Sequence, residues 1–600
     1  MNAFDERIDE LRKYLKRDNI SAYIVCTGDY HGSEYAGDYF KERDYLSGFT
    51  GSAGTLLVTQ NDAFLWTDGR YFIQAEYQLN GSSIVLMKSG ENDVPSVGEY
   101  LGRVIEDNSI IAFDGRSVTC EFVNNIKKCL NNPDIKFKYD TNYVDYVWKD
   151  RPALPNGKVW MLDEKYAGEK TLSKISRVRK IMEDNGAQCF ALTSLDDIAW
   201  LLNLRGSDID FCPMFLSYMM IGMDYIKLYI DREKLDAKVS DSLRINNIEI
   251  HEYDSIYSDL RNISDLLTIM LDEKKVNYSI AMIANDNKNI TVKNCTNPTS
   301  LLKSIKNSVE IANERKAHIK DGVAVTHFIY WLKNNVVKTR ISEIHAANKL
   351  EEFRREQKNY LYQSFAPIMA YGKNAAIVHY SADENSDTIL ESKGFLLSDT
   401  GGHYLEGTTD ITRTISLGEL TEKEKSIYTT VLKGHLRLAN TVFKEGSKGA
   451  NIDIVAREPL WWEGLDYNHG TGHGVGYLLN VHEAPNAIRY KIQNASSDDE
   501  IFREGMITSD EPGYYEENSF GIRHESLILC CEKSRTEYGK FLGFEYLTAV
   551  PFDREAIVVD MLDCTERKFL NEYHRFVFES ISEYFDGEEL KWLEEVTSPI

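Results

Sequence analysis

Apolar side chains recur at helical spacing from the start of the chain. Ile8, Leu11 and Leu15 stand among charged residues over positions 5–17, which predicts an amphipathic helix. Ala22-Tyr-Ile-Val-Cys26 then predicts a short buried strand ahead of a polar turn. The order returns about one domain length later. A basic amphipathic helix over Leu172–Glu183 leads into Cys189-Phe-Ala-Leu-Thr193, and similar stretches follow both strands, Tyr45-Leu-Ser-Gly-Phe-Thr-Gly51 and Trp200-Leu-Leu-Asn-Leu-Arg-Gly206. The pattern predicts two related α/β domains. A third, longer helix is expected from about Leu301 to Leu332, with a break near Asp321-Gly322.

Pro152, Pro155 and Gly157 punctuate the first boundary, and Asn297-Pro298 the second. The fold class expected is therefore α/β (α+β), with domains over residues 1–155, 156–300 and 301–600. Beyond residue 300 the pattern changes to helices followed by strand-rich segments. Phe395-Leu-Leu-Ser reads as one strand, Thr400-Gly-Gly as a turn and Thr408 to Ile415 as the return strand. Alternation puts Thr408, Asp410, Thr412 and Thr414 on its polar face, so the hairpin would bring Asp410 near Asp399. The same alternation puts Arg523 and Glu525 on one face of a strand from Gly521 to Leu529.

Composition narrows the function. With 69 Lys+Arg against 94 Asp+Glu the formal charge is −25, which excludes the basic footprint of a nucleic-acid binder. Nine cysteines without a CxxC pair suggest neither a disulfide framework nor a thiolate zinc site. No window approaches a membrane-spanning apolar run, and the N-terminal residues lack an apolar signal core. The reading is a cytoplasmic enzyme with no nucleic-acid or membrane partner.

Five side chains between Asp399 and Glu525 carry the candidate chemistry. Asp399 lies in Ser398-Asp-Thr-Gly-Gly, Asp410 in Glu406-Gly-Thr-Thr-Asp, and His473 in His469-Gly-Thr-Gly-His-Gly. Glu511 lies in Asp510-Glu-Pro-Gly-Tyr-Tyr and Glu525 in Arg523-His-Glu-Ser. Carboxylates with one imidazole suit a pair of hard or borderline cations such as Mn²⁺, Co²⁺ or Zn²⁺. Such a pair generates a nucleophilic bridging hydroxide and polarises a carbonyl. Four carboxylates balance two divalent ions, and the hydroxide leaves about one net negative charge, which attracts a peptide's free α-ammonium. An exopeptidase working from the amino end follows. His379, read as the edge of a strand, and His469 and His482 flanking His473 are candidates for proton transfer, and Glu511 for a double role as ligand and acid/base. Taken singly, each carboxylate has a bland reading as a surface group and each histidine as a structural one. The five segments in combination, each bounded by glycine or proline, carry the argument.

On these motifs, with Ser47-Gly-Phe-Thr-Gly-Ser-Ala-Gly54, Trp66-Thr-Asp-Gly-Arg-Tyr-Phe72, Asp197-Ile-Ala-Trp-Leu-Leu-Asn-Leu-Arg-Gly206 and Leu350-Glu-Glu-Phe-Arg-Arg355, the chain resembles the pita-bread metallopeptidases. Within them it resembles the three-domain cytosolic Xaa-Pro aminopeptidases over nearly its whole length. The resemblance implies two creatinase/prolidase N-terminal-like domains ahead of a pita-bread catalytic domain. It implies hydrolysis of peptides that begin Xaa-Pro, by attack of a dimetal-bridging hydroxide on the scissile carbonyl. It also implies Asp399 as chelator of one metal, Asp410 and Glu525 as bridges, and His473 and Glu511 as ligands of the other. His379, His469 and His482 would orient substrate and steady the transition state, beside Arg523. The metal expected is Mn²⁺ (Co²⁺ or Zn²⁺ being alternatives) and the assembly a homodimer through the C-terminal domain. Departures from the family pattern are Thr400-Gly-Gly-His after Asp399, Glu406 for an aspartate, and His524, from which an altered pH response of the pocket is expected. The competing readings are a prolidase restricted to Xaa-Pro dipeptides and a non-catalytic peptide-binding scaffold. The length and the first-domain motifs weigh against the former, and the complete ligand set against the latter.

Overall fold

The computed structural model describes residues 2–490, apart from 131, 133 and 385, and residues 500–600. It divides into two compact units. One comprises Met1–Leu162 with Glu169–Thr299, and the other Asp163–Gly168 with Ser300–Ile600.

The first unit holds two six-stranded sheets with the same plan. From edge to edge the first runs Ile84–Lys88, Ala63–Thr67, Thr55–Thr59, Ala22–Cys26, Ile110–Ala112 and Lys136–Lys138. The second runs Glu249–His251, Ile226–Tyr229, Tyr218–Gly222, Cys189–Leu192, Leu267–Leu271 and Ile290–Asn294. In each, the first strand in sequence is central, antiparallel to the second and parallel to the fifth. This is the duplication that the repeated helix-then-strand pattern predicts. The opening helices are Ala3–Arg17, capped by the Asn2 side chain, and Thr171–Asp184. Their apolar stripes, Ile8, Leu11 and Leu15 in one and Ile175, Val178 and Met182 in the other, are buried.

In the second unit the long helix is Ser308–Asn335, entered through a capping box between Asn307 and Glu310. The expected break at Asp321-Gly322 is absent, and the interruption lies instead before Asn307, after the short helix Pro298–Ser304. Gly322 answers to packing: a Cβ there would lie 2.5 Å from the Ala549 carbonyl oxygen. A three-stranded sheet, Ile368–Tyr371, Phe395–Thr400 and Ile411–Ser416, lies alongside a six-stranded antiparallel one that includes Gly472–Gly474, Ile507–Asp510 and Ser526–Thr536. Helices Glu343–Arg355, Glu422–Ala439, Gly449–Trp462 and Cys564–Ile581 complete the unit. Its apolar cores gather around Val431, Leu432 and Leu570 on one side and Phe328, Leu332 and Ile415 on another.

Candidate metal centre

The hairpin that carries two of the candidate ligands differs in one respect from its expected form. Phe395–Thr400 does pair antiparallel with Ile411–Ser416, with Asp399 opposite Thr412. Thr400-Gly-Gly is no turn, however. The chain runs on through Gly402–Tyr404, reverses at Leu405-Glu406 and returns through Gly407–Thr408. Asp410 therefore falls in the two-residue interruption before Ile411 rather than on a continuous return strand. Similarly, His524 and Glu525 form a break between Phe520–Arg523 and Ser526–Thr536. His379 lies in a turn after the short helix Gly372–Ala376, not on a strand edge.

His473 comes from the strand Gly472–Gly474, and Glu511 from the residue just after Ile507–Asp510. The glycines of this segment permit close approach of neighbouring chain. A Cβ on Gly472 would lie 1.9 Å from the Ser509 carbonyl oxygen, and one on Gly474 2.2 Å from that of Glu483. Their φ angles are not left-handed, so steric fit rather than turn geometry selects glycine here. Arg457, on helix Gly449–Trp462, donates to the carbonyls of Tyr467 and His469, both at 2.8 Å, and steadies the loop ahead of the strand.

Four of the five candidate ligands meet directly, and Asp399 lies near enough to feel the charges of Asp410 and Glu511. Ligand atoms of Asp410, His473 and Glu525 lie within 4.8 Å of one another. His473 Nε2 is 3.5 Å from Asp410 Oδ2 and 3.4 Å from Glu511 Oε1. Its Nδ1 lies 3.0 Å from the Gly474 carbonyl, which keeps a proton on Nδ1 and turns Nε2 to the carboxylates. Thr412 donates to Glu525 Oε2 at 2.6 Å, and Ser509 to Glu511 Oε1 at 3.1 Å. Arg523 donates to Asp399 Oδ2 at 2.5 Å, while Asp399 Oδ1 is buried without a hydrogen-bond partner.

A further chain runs off this arginine. Arg523 Nη1 donates to the Tyr515 hydroxyl at 2.7 Å, and that hydroxyl lies 2.9 Å from His469 Nε2. His469 Nδ1 is 2.8 Å from the Gly470 carbonyl, so Tyr515 donates and the imidazole accepts. Tyr515 is the residue that sequence reasoning missed. Only the pairing of Gly513–Glu516 with Phe520–Arg523 decides which tyrosine of Tyr514-Tyr515 faces the cluster. His482 joins through its ring, edge-on to that of His473 with centroids 4.4 Å apart.

The electrostatics describe a site built for positive charge. Burial, with Asp410 and Glu511 nearby, raises the Asp399 carboxyl to about 6 against the pull of Arg523. Burial and the neighbouring Asp410, Glu511 and Asp399 push Glu525 well above the usual range. Burial works against a charged His473, yet Asp410 and Glu511 lift it to about 9. Glu511 is held below its ordinary value because His473, His469 and Arg523 outweigh the effect of burial. Burial takes His469 down to about 4, so it is neutral. Mutually repelling carboxylates, an unpartnered carboxylate oxygen and a correctly turned imidazole fit a pair of divalent cations.

His524 is elsewhere. It is fully buried, with its ring edge-on to Tyr428 at 4.3 Å and 5.5 Å from Phe552. Burial holds it well below its ordinary value, so the expected influence on the pocket's pH response gives way to a neutral packing role.

Comparison with known proteins decides the family. Residues 7–144 and 150–310 each match the creatinase/prolidase N-terminal domain, residues 312–532 match metallopeptidase family M24, and 540–600 its C-terminal region. A probable Xaa-Pro aminopeptidase P of Paracoccidioides brasiliensis (strain Pb18) is 39% identical over 617 residues, covering 99% of both chains. One from Tuber melanosporum (strain Mel28) is 38% identical at 99% coverage of both. The crystal structure of X-prolyl aminopeptidase from Caenorhabditis elegans, described as a cytosolic enzyme with a di-nuclear active site, superposes with a TM-score of 0.94 at 33% identity, covering 100% of both chains. The chain belongs to the Xaa-Pro aminopeptidase P family of M24 metallopeptidases. Its fold is accordingly two creatinase-type α/β domains followed by a pita-bread domain.

Proposed function

We propose that this chain releases the N-terminal residue from peptides with proline in second position, using two divalent cations held by Asp399, Asp410, His473, Glu511 and Glu525. The observation that carries the reading is the gathering of these side chains from separate segments in one buried cluster, where four carboxylates outnumber the counter-charges of Arg523 and His473. Asp399 and Asp410, with His473, Glu511 and Glu525, would hold the two cations between them, as the resemblance implies. Bound there, the cations supply Lewis acidity and acidify water to near neutrality.

The chain's own residues do the rest. The net negative charge of the occupied centre receives the substrate's α-ammonium. Arg523 orients Asp399 and, through Tyr515, sets the tautomer of His469. His379, His469 and His482 orient the peptide and stabilise charge developing on its carbonyl, and Glu511 carries the proton between nucleophile and departing nitrogen. An Xaa-Pro bond has no N–H, so a site that protonates the imino nitrogen and reads the ring by shape can use it.

Mn²⁺ is the cation proposed, and the domains span residues 1–155, 156–300 and 301–600. A homodimer through the last domain is supported by exposed Ile454, Trp461 and Trp462 on helix Gly449–Trp462 with exposed Tyr490 beside Trp461. Nine free cysteines favour a reducing, cytoplasmic setting, and among the described residues no helix is long and apolar enough to cross a membrane. Incubating Mn²⁺-loaded protein with Xaa-Pro-Yaa tripeptides should release free Xaa. Turnover confined to Xaa-Pro dipeptides would mean a prolidase, and none with Mn²⁺, Co²⁺ or Zn²⁺ a binding scaffold.

A further inference from the structure

Behind the ligand hairpin lies a second charged group, fully enclosed. Asp321, on the long helix Ser308–Asn335, meets Arg354, on helix Glu343–Arg355, in a two-pronged ion pair. Arg354 Nε donates to Asp321 Oδ1 at 2.7 Å and Nη2 to Oδ2 at 3.0 Å. Each partner also engages the hairpin. Arg354 Nη2 donates to Thr400 Oγ1 at 3.0 Å, and Thr409 Oγ1 donates to Asp321 Oδ2 at 2.8 Å. Tyr404, in the same hairpin, donates to Asp321 Oδ1 at 2.8 Å. Asp321, Arg354, Thr400, Tyr404 and Thr409 are all buried.

The two threonines are the immediate neighbours of two candidate ligands, since Thr400 follows Asp399 and Thr409 precedes Asp410. Asp410 itself lies in an interruption of its strand, flanked by the Thr400–Ile411 pair on one side and by the Thr409 N–H bond to the Gly402 carbonyl on the other, so the ladder brackets it without including it. We propose that the Asp321–Arg354 pair is a positioning device that gauges the separation of Asp399 and Asp410 by gripping Thr400 with one partner and Thr409 with the other. The planar guanidinium and the carboxylate form a rigid unit, so the two grips cannot move independently. The inference rests on the metal-centre reading above. It assigns a role to Arg354 in Leu350-Glu-Glu-Phe-Arg-Arg355, and to Asp321, to which the reaction itself gives none.

Supporting residues around metal ligands typically set affinity by roughly 10–100-fold. The test is titration of metal-free full-length protein with Mn²⁺ by calorimetry, in parent, Thr400→Val, Thr409→Val and the double variant. Valine keeps the volume of each side chain and removes the Arg354 grip at 400 and, at 409, the Asp321 grip together with the Gly402 N–H bond to Oγ1, so the Thr400→Val single variant reads one grip alone. The double variant should bind Mn²⁺ about tenfold or more weakly, recover activity at saturating Mn²⁺, and keep a metal-free thermal midpoint close to the parent's. Asp321→Asn, which keeps the shape and loses the charge, should weaken binding further. A parent that takes up two Mn²⁺ and a folded double variant within twofold of its affinity would overturn the positioning role alone. A parent that takes up no Mn²⁺ would overturn the metal-centre reading and the positioning role with it.

Discussion

Two buried charged groups lie on opposite sides of one hairpin and are organised in opposite ways. Around Asp321 a single carboxylate receives Arg354 twice, Tyr404 and Thr409. Burial pushes its carboxyl up, but Arg354 and the hydrogen bonds outweigh burial and hold it below the ordinary range. Around Asp399 four carboxylates face one another with Arg523 and His473 as the counter-charges, and Asp399 and Glu525 are pushed upward. The first group is complete as folded. The second is complete only with cations, which is how a buried structural charge and a ligand set are told apart when both are acidic and enclosed.

The contrast breaks if mutations on the two sides behave alike. Glu525→Gln removes a charge from the incomplete group with little change of shape. It should lower tripeptide turnover on the order of 10³-fold or more, and leave the metal-free thermal midpoint unchanged or raised because a repulsion is relieved. A fall in that midpoint would contradict the account. Arg354→Ala should instead act on the metal-free fold as well as on Mn²⁺ affinity, costing about 3–5 kcal/mol of stability by leaving Asp321 buried and unpaired, as read from denaturant midpoints.

A pH series sharpens the comparison at smaller amplitude. His473 is lifted in the folded chain to about 9, so its contribution to stability is fully present below about 6.5 and lost as pH rises through about 9. Asp399 is raised to about 6, so its contribution is present below about 3.8 and lost as pH rises through about 6. Both give the same sign. The metal-free protein should lose on the order of 1–3 kcal/mol between acid and alkaline pH, and Mn²⁺ should flatten the trend, since its ligands bind deprotonated. Scanning calorimetry with and without Mn²⁺ checks it. The smallest effect expected is that of His524→Ile, whose pH–rate profile should overlay the parent's because that imidazole stays neutral in its packing niche. A displaced profile would restore His524 to the pocket.

Much of this was legible from one sequence. Helical spacing at Ile8, Leu11 and Leu15 and the recurring helix-then-strand order announced two related domains, because burial selects the same periodicity wherever an element faces a core. The strand opening at Phe395 and its return partner were visible, the latter in alternating positions, although the first runs on through Asp399 to Thr400 and the second begins only at Ile411. The turn between them was misplaced, because Thr400-Gly-Gly has turn composition while its glycines serve a strand that changes sheets. Gly322 misled for the same reason, its composition suggesting a break where a close helix contact was required. The apparent strand edge at His379 proved to be a turn. Local composition does not say whether a glycine is needed for its dihedral or for its missing Cβ.

By itself the chain's sequence determined which groups are available: the five candidate ligands, their order, and the alternating positions that put Thr412 and Thr414 on one face of the return strand. Tertiary structure alone decided who meets whom. Tyr515 rather than Tyr514 reaches His469, His524 turns away from Glu525, and Asp321 and Arg354 close on the two threonines from separate helices. The physical reason is range. Periodicity and turn chemistry act over a few residues, whereas these contacts join segments far apart in the chain, where only packing of whole elements sets register and facing.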